Sequence, residues 1–146
     1  MKRHPSLAHF SRDHHGALLL ARLLQKNAPA YKGMPTDLAG KAIYAAQFYT
    51  DELVKHFLLE EKVYALVTGV NDALDLLVQT VLRQHCELNV LFAGIGESQD
   101  LETALDSIGK ALEMHIRKEE RELFPLIQES CDAVLMDQIE ASLTIK

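Results

Sequence analysis

Two short segments of the sequence share one spacing of histidine and glutamate. HFLLEEKVY starts at His56 and places Glu60 four residues later, and HIRKEEREL starts at His115 and places Glu119 four residues later. Residues four apart on an α-helix lie one turn apart on the same face. If helical, each segment presents an imidazole and a carboxylate to one space, and both groups bind divalent and trivalent cations.

Helices must position these residues, and the sequence divides into four long helical segments. Breaker residues cluster at 27–37, 68–72 and 93–100. We expect helices over 6–28, 37–68, 72–94 and 100–124. No segment alternates apolar and polar residues for long, so no β-strand is predicted.

Capping residues precede three of the four helices. The candidates are Thr36 or Asp37, Asn71 or Asp72, and Ser98 or Asp100. Pro125 should stop or bend the fourth helix, because proline lacks the N–H that a helix interior needs. A short fifth helix is expected from Asp132.

Each long helix carries an apolar stripe with spacings of three and four residues, which marks the face that packs into a bundle core. The stripes are Leu7, Phe10, His14, Ala17, Ala21, Leu24; Tyr49, Leu53, His56, Glu60, Val63, Val67; Leu74, Val78, Val81, His85, Leu88, Phe92; and Ile108, Leu112, His115, Glu119, Leu123. The stripe through His15 would instead carry Ser11, Arg22 and Gln25, so His14 is the predicted inward residue and His15 the alternative.

Burial of these polar groups predicts a metal site. A buried carboxylate needs a partner charge or a shifted pKa, and cations supply that charge. Four imidazoles and two carboxylates able to bridge suit two ions, with two nitrogens for each. The predicted ligands are His14, His56, Glu60, His85, His115 and Glu119. The structural alternative is a set of hydrogen-bonded core histidines.

The remaining polar candidates receive lesser roles. Glu61 and Glu120 each follow a predicted ligand and turn to a neighbouring face, where we expect groups that support the ligands. Cys86 is expected to be a buried structural thiol. His4, His9 and His15 have no partners on a stripe and are expected at the surface.

Composition limits the classes of function. The chain of 146 residues suits one domain, 1–146, and its net charge of −6 with a pI near 5.6 argues against nucleic acid as a partner. No apolar run is long enough for a signal peptide or a membrane span. Two cysteines without a CxxC spacing indicate no disulfide framework, so a cytoplasmic location is expected.

The order of these residues resembles the hemerythrin-like, or HHE cation-binding, domain family. Its members carry a histidine on the first helix, HxxxE on the second, a histidine on the third and HxxxE on the fourth. The resemblance covers essentially the whole chain. It implies an all-α, up-down-up-down four-helix bundle, to which this sequence adds a short C-terminal helix. It also implies a non-haem di-iron centre of two Fe ions, bridged by Glu60, Glu119 and an oxo or hydroxo group.

The chain departs from the oxygen-carrying members of that family. Asn89 stands four residues after His85, where those members have a further histidine, and its amide is expected at the mouth of the site. Glu119 lies four residues after His115, where they have an aspartate five residues after. The four-histidine pattern resembles the bacterial type, which implies sensing, redox or iron-handling roles rather than reversible oxygen carriage.

The leading hypothesis is a cytoplasmic di-iron protein that binds a small ligand: dioxygen, peroxide or nitric oxide. An electron donor is implied, and its identity is open, as is the oligomeric state. One alternative is a di-iron peroxidase or O2 scavenger, which uses the same residues with sustained turnover. Another is a structural or partner-binding helical bundle stabilised by zinc. A ferritin-like site is disfavoured, because the chain has no Glu-x-x-His.

Overall fold

Helices are the only regular elements among residues 2–144, which the computed structural model describes. The α-helices are α1 Pro5–Leu24, α2 Leu38–Phe48, α3 Val54–Val67, α4 Asp72–Ala93, α5 Leu101–Lys118, α6 Phe124–Ser130 and α7 Ala133–Thr144. A π-helical turn, Tyr49–Leu53, joins α2 to α3, and another, Glu119–Leu123, joins α5 to α6. A 3-10 turn, Ile95–Glu97, follows α4. The predicted all-α class is confirmed, and no described helix has the length and apolarity to cross a membrane.

Helix starts follow the predicted capping residues. The side chains of Asp37, Asn71 and Asp100 each accept a hydrogen bond from a backbone N–H in the first turn of α2, α4 and α5. The first helix ends four residues before the predicted residue 28. The chain leaves α1 at Leu24 and turns at Asn27, whose φ of 63° lies in the left-handed region that ends helices.

Pro125 does not stop the fourth helix, so its predicted end at 124 is wrong. The wider turn at Glu119–Leu123 comes immediately before it, and the backbone N–H of Phe124 bonds to the carbonyl of Glu119. Pro125 then falls in the first turn of α6, where its missing N–H needs no helical partner. The helical path therefore continues to Ser130, and the predicted fifth helix follows as α7.

Two apolar clusters fill the core, with a polar layer between them. The first cluster includes Leu7, Phe10, Val63, Val67, Leu74, Val81, Leu123 and Phe124. The second includes Ala17, Leu20, Leu53, Phe57, Leu88, Phe92, Leu112 and Ile116. On α1 and α4 the predicted histidine stands between the residues of the two clusters; on α3 and on α5 with its π turn, the predicted glutamate does. Every predicted stripe residue except Tyr49 is buried.

Candidate metal centre

The structure brings all six predicted residues together in the polar layer. None is more than 4 % exposed, and that value belongs to His56. α1 carries His14, α3 carries His56 and Glu60, and α4 carries His85. His115 stands near the end of α5, and Glu119 opens the π turn that follows. Such turns are frequent at functional sites.

The first of two groups contains His14, His56, Glu60 and Glu119, and we call it the first position. The Nε2 atom of His14 lies 3.4 Å from Oε2 of Glu60 and 3.2 Å from Oε1 of Glu119. His56 Nε2 lies 3.1 Å from Oε2 of Glu60. The four ligand-type atoms lie within 4.8 Å of one another, so this group could hold one cation.

The second position contains Glu60, His85, His115 and Glu119. The Nε2 atom of His85 lies 3.1 Å from Oε1 of Glu60 and 3.7 Å from Oε2 of Glu119. His115 Nε2 lies 3.2 Å from Oε1 of Glu119. Both carboxylates belong to both positions, which is the arrangement that bridging requires.

Each histidine also has a partner for its other ring nitrogen, and we call these residues the Nδ1 partners. The Nδ1 distances are 2.6 Å from His14 to Glu120 Oε2, 3.1 Å from His56 to Asp13 Oδ2, 2.8 Å from His85 to Glu61 Oε2 and 2.8 Å from His115 to Gln84 Oε1. Carboxylate and amide oxygens accept, so each Nδ1 carries the hydrogen. Every Nε2 is then directed inward, the orientation found in metal-bound histidines.

Three of the inward atoms lie near opposite charge but form no hydrogen bond of good geometry, which indicates whether cations fit the site. Glu60 Oε2, Glu119 Oε1 and His115 Nε2 are buried without a hydrogen bond. The Nε2 atoms of His14 and His56 face each other at 3.1 Å. Two ring nitrogens whose hydrogens are on Nδ1 repel at that distance unless a proton or a metal cation lies between or beside them. The residues present therefore fit cations.

In the metal-free protein, protons take the place of those cations. Burial by itself lowers the pKa of His14, but hydrogen bonds to carboxylates, that of Glu119 above all, raise it to about 12. Burial also lowers the pKa of His85, but hydrogen bonds to Glu119 and Glu60 outweigh it and raise the pKa to about 10. Burial and the charge of Glu119 raise the pKa of Glu60, but the neighbouring histidines outweigh them and lower it to about 2. The buried carboxylates of this layer are therefore stabilised by positive charge close to them.

A tyrosine from α3 completes the layer. The hydroxyl of Tyr64 is buried and donates to Glu119 Oε2, which leaves Oε1 of that carboxylate facing the histidines. Burial first, and then the charge of Glu119, raises the pKa of this phenol well above its usual value. Tyr64 therefore stays a hydrogen-bond donor and holds Glu119 in one orientation.

Aromatic rings cover parts of the layer, and a cavity opens beside it. Phe57 stacks on the ring of His85 with 4.2 Å between ring centroids, and Phe124 stacks on the ring of His14 with 5.8 Å between ring centroids. On the side of α1 and α2 the enclosure opens into a cavity of about 510 Å³, lined by Arg12, Asp13, Gly16, Ala17, Tyr44, Gln47, Phe48, Asp51, Glu52, Leu53 and His56. Solvent in this cavity reaches His56 and its Nδ1 partner Asp13.

Two of the four Nδ1 partners were expected from the sequence, whereas the other two and Tyr64 were not. Glu61 and Glu120 support His85 and His14, as expected. Asp13, Gln84 and Tyr64 were not predicted, although a signal existed for each. Tyr64 continues the four-residue spacing from Glu60. Each Nδ1 partner is a sequence neighbour of a predicted ligand on one helix and supports a histidine on another.

Other predicted placements give a mixed outcome. Cys86 is exposed, so its prediction as a buried thiol is wrong: it follows His85 by one residue and turns away from the core. His15 is exposed, whereas His4 and His9 are partly buried, with His4 capping α1. Asn89 is exposed, and its amide oxygen accepts a hydrogen bond of 2.7 Å from the hydroxyl of Tyr49.

The fold and the site together define an all-helical protein with a buried, carboxylate-rich candidate cation site. The family model of the hemerythrin HHE cation binding domain matches residues 6–127. The chain belongs to this family, which confirms the predicted family; the four-histidine bacterial type stays a prediction. No match was found among curated proteins or among solved structures.

Proposed function

We propose that this protein is a cytoplasmic, non-haem di-iron protein whose metal centre binds dioxygen, peroxide or nitric oxide. The observation that carries the proposal is the convergence of four Nε2 atoms on two buried carboxylates, with every Nδ1 occupied by its own acceptor. Such orientation of all four rings costs side-chain entropy and leaves polar atoms unpaired, and bound cations offset both costs.

In this proposal His14 and His56 would hold one ion, and His85 and His115 would hold the other. Glu60 and Glu119 would serve both ions, because each carboxylate faces histidines of both positions. A family that binds cations through an HHE domain supports the metal, and the mixture of imidazole and carboxylate ligands suits iron. When bound, the two ions supply electrons and open coordination sites to a small ligand.

The protein's own residues determine what reaches the centre. The rings of Phe57 and Phe124 and the two apolar clusters exclude water from most of the layer. The cavity between α1 and α2 is the route we propose for a small ligand, because it ends at His56, the most exposed of the six residues. Tyr64 donates a hydrogen bond to Glu119 and thereby keeps this carboxylate directed toward both positions.

The alternation of the clusters supports the proposed topology. α1 runs from the first cluster to the second, α3 runs from the second to the first, α4 returns to the second, and α5 with its π turn comes back to the first. We therefore propose the up-down-up-down arrangement for the four long helical segments, with α7 as the short addition.

Metal analysis of protein purified without chelators or nickel resin tests the function. We expect two iron ions per chain and visible absorption in the oxidised protein. After anaerobic reduction, nitric oxide should change the spectrum in proportion to iron content. A constant value of one zinc ion per chain, with no visible absorption, would support the zinc-stabilised bundle instead.

A further inference from the structure

The two positions differ in the chemistry of their Nδ1 partners. Both histidines of the first position donate to carboxylates, those of Glu120 and Asp13. At the second position His85 donates to the carboxylate of Glu61, but His115 donates to the amide oxygen of Gln84 at 2.8 Å. Gln84 is therefore the one neutral Nδ1 partner of the four.

A charged acceptor changes the ring to which it is bonded. A carboxylate draws the Nδ1 hydrogen toward itself and increases the electron density at Nε2, which makes the ring a stronger metal ligand. Hydrogen bonds to a charged acceptor are about twice as strong as those between neutral groups. The amide of Gln84 fixes the orientation of His115 but adds less to its basicity. The second position therefore has the weaker pair of imidazoles.

One cavity reaches the first position at His56, another reaches Gln84 behind the second position, and the two cavities have opposite charge. The cavity at His56 is lined by three carboxylates, Asp13, Asp51 and Glu52, against one guanidinium, Arg12. A second cavity, of about 300 Å³, is lined by Gln84, Met114, Arg117, Lys118, Arg121 and Glu122, which are three cations against one carboxylate. Charges on the walls of a cleft raise or lower the local cation concentration. This difference favours the first position as well.

We propose that the two cation positions are inequivalent, and that Gln84 makes the position of His85 and His115 the weaker one. A divalent cation then occupies the position of His14 and His56 first, and the second position fills only afterwards. This inference rests on the proposed function, because it presupposes a centre with two ions. Gln84 acts here as a positioning residue, through the ring of His115 rather than through contact with the metal.

Cobalt(II) provides a direct test, because anomalous scattering at its absorption edge measures occupancy at each position separately. The metal-free full chain would be crystallised with one equivalent of cobalt(II). Replacement of groups that support a metal ligand changes metal affinity by about 10–100-fold. We therefore expect the first position to be occupied at least about tenfold more than the second. In Gln84→Glu the ratio should approach one.

Two further variants complete the test. Gln79→Glu adds the same charge at an exposed place on α4 and should keep the wild-type ratio. Asp13→Asn weakens the first position and should also reduce the ratio, so the test does not depend on the folding of Gln84→Glu. Equal occupancy in the wild type overturns the inference alone. So does an unchanged ratio in folded Gln84→Glu or, if that variant does not fold, in Asp13→Asn. Failure of excess cobalt to fill a second position overturns the proposed function, and this inference with it.

Discussion

Replacement of His14 by alanine should disturb the metal centre, whereas the same replacement at His15 should not. His14 is 2 % exposed, and its Nε2 lies within 3.4 Å of both buried carboxylates. Its Nδ1 also bonds to Glu120. His15 is the next residue on the helix, but it is exposed to solvent. The two variants remove the same atoms from one helix and differ only in the face that they affect.

The size of the effect follows from the charges that His14→Ala leaves behind. In the metal-free protein the pKa of His14, at about 12, keeps the ring protonated, so the substitution removes a positive charge beside Glu60 and Glu119. Loss of one partner from a buried ion pair costs about 3–5 kcal/mol. A domain of this size loses about 2–4 °C in Tm for each kcal/mol, so the expected decrease is about 6–20 °C. His15→Ala should change stability by less than about 0.5 kcal/mol.

Thermal unfolding followed by circular dichroism, with iron content measured on the same samples, checks both expectations. His14→Ala should melt at the lower temperature without metal and should retain less iron when loaded. His15→Ala should match the wild type in both measurements. If His15→Ala loses iron while His14→Ala retains it, the rotation of α1 that we describe is incorrect, and the proposed ligand set is refuted.

Three further predictions concern the bridging residues, pH and the cavity. Glu60→Ala and Glu119→Ala should each reduce iron content at both positions, because each carboxylate faces histidines of both groups; loss of one ion alone in crystals of either variant would contradict bridging. In the metal-free protein the raised pKa of His85, about 10 against an ordinary 6.5, means that the folded state holds a proton that the unfolded state releases, so the urea midpoint should decrease between about pH 6.5 and 10. The lowered pKa of Glu60, about 2 against 4.5, predicts a second decrease between about pH 4.5 and 2, and a flat profile in both ranges would refute the charge assignment. Gly16→Leu should slow the association of nitric oxide several-fold without loss of iron, because a side chain there extends toward Phe48 in the cavity, whereas Gly96→Leu extends into open space and should not; equal rates in stopped-flow experiments would exclude this cavity as the route.

Most of the helical pattern and the six candidate residues could be predicted, because both depend on local geometry. A spacing of four residues places His56 with Glu60, and His115 with Glu119, on one face of any α-helix. Side-chain caps such as Asn71 act on N–H groups only a few residues away. The errors arose where local rules compete. Pro125 is a helix breaker in general, yet the preceding π turn shifts it into the first turn of α6.

The Nδ1 partners show where local rules stop. Asp13 precedes His14 but supports His56 on α3, and Gln84 precedes His85 but supports His115 on α5. Such contacts depend on how far neighbouring helices are rotated and shifted against each other, and packing of the whole core sets both quantities.

The sequence alone therefore determined which residues share a helical face, and with them the chemistry of the candidate site. Only the tertiary structure decided which carboxylate or amide faces each histidine, where the enclosure opens at His56, and how the charges of the two cavities differ. The physical reason is the separation along the chain over which each kind of interaction acts. Helical periodicity repeats within a few residues, whereas these contacts join residues such as His14 and Glu120 that lie 106 positions apart.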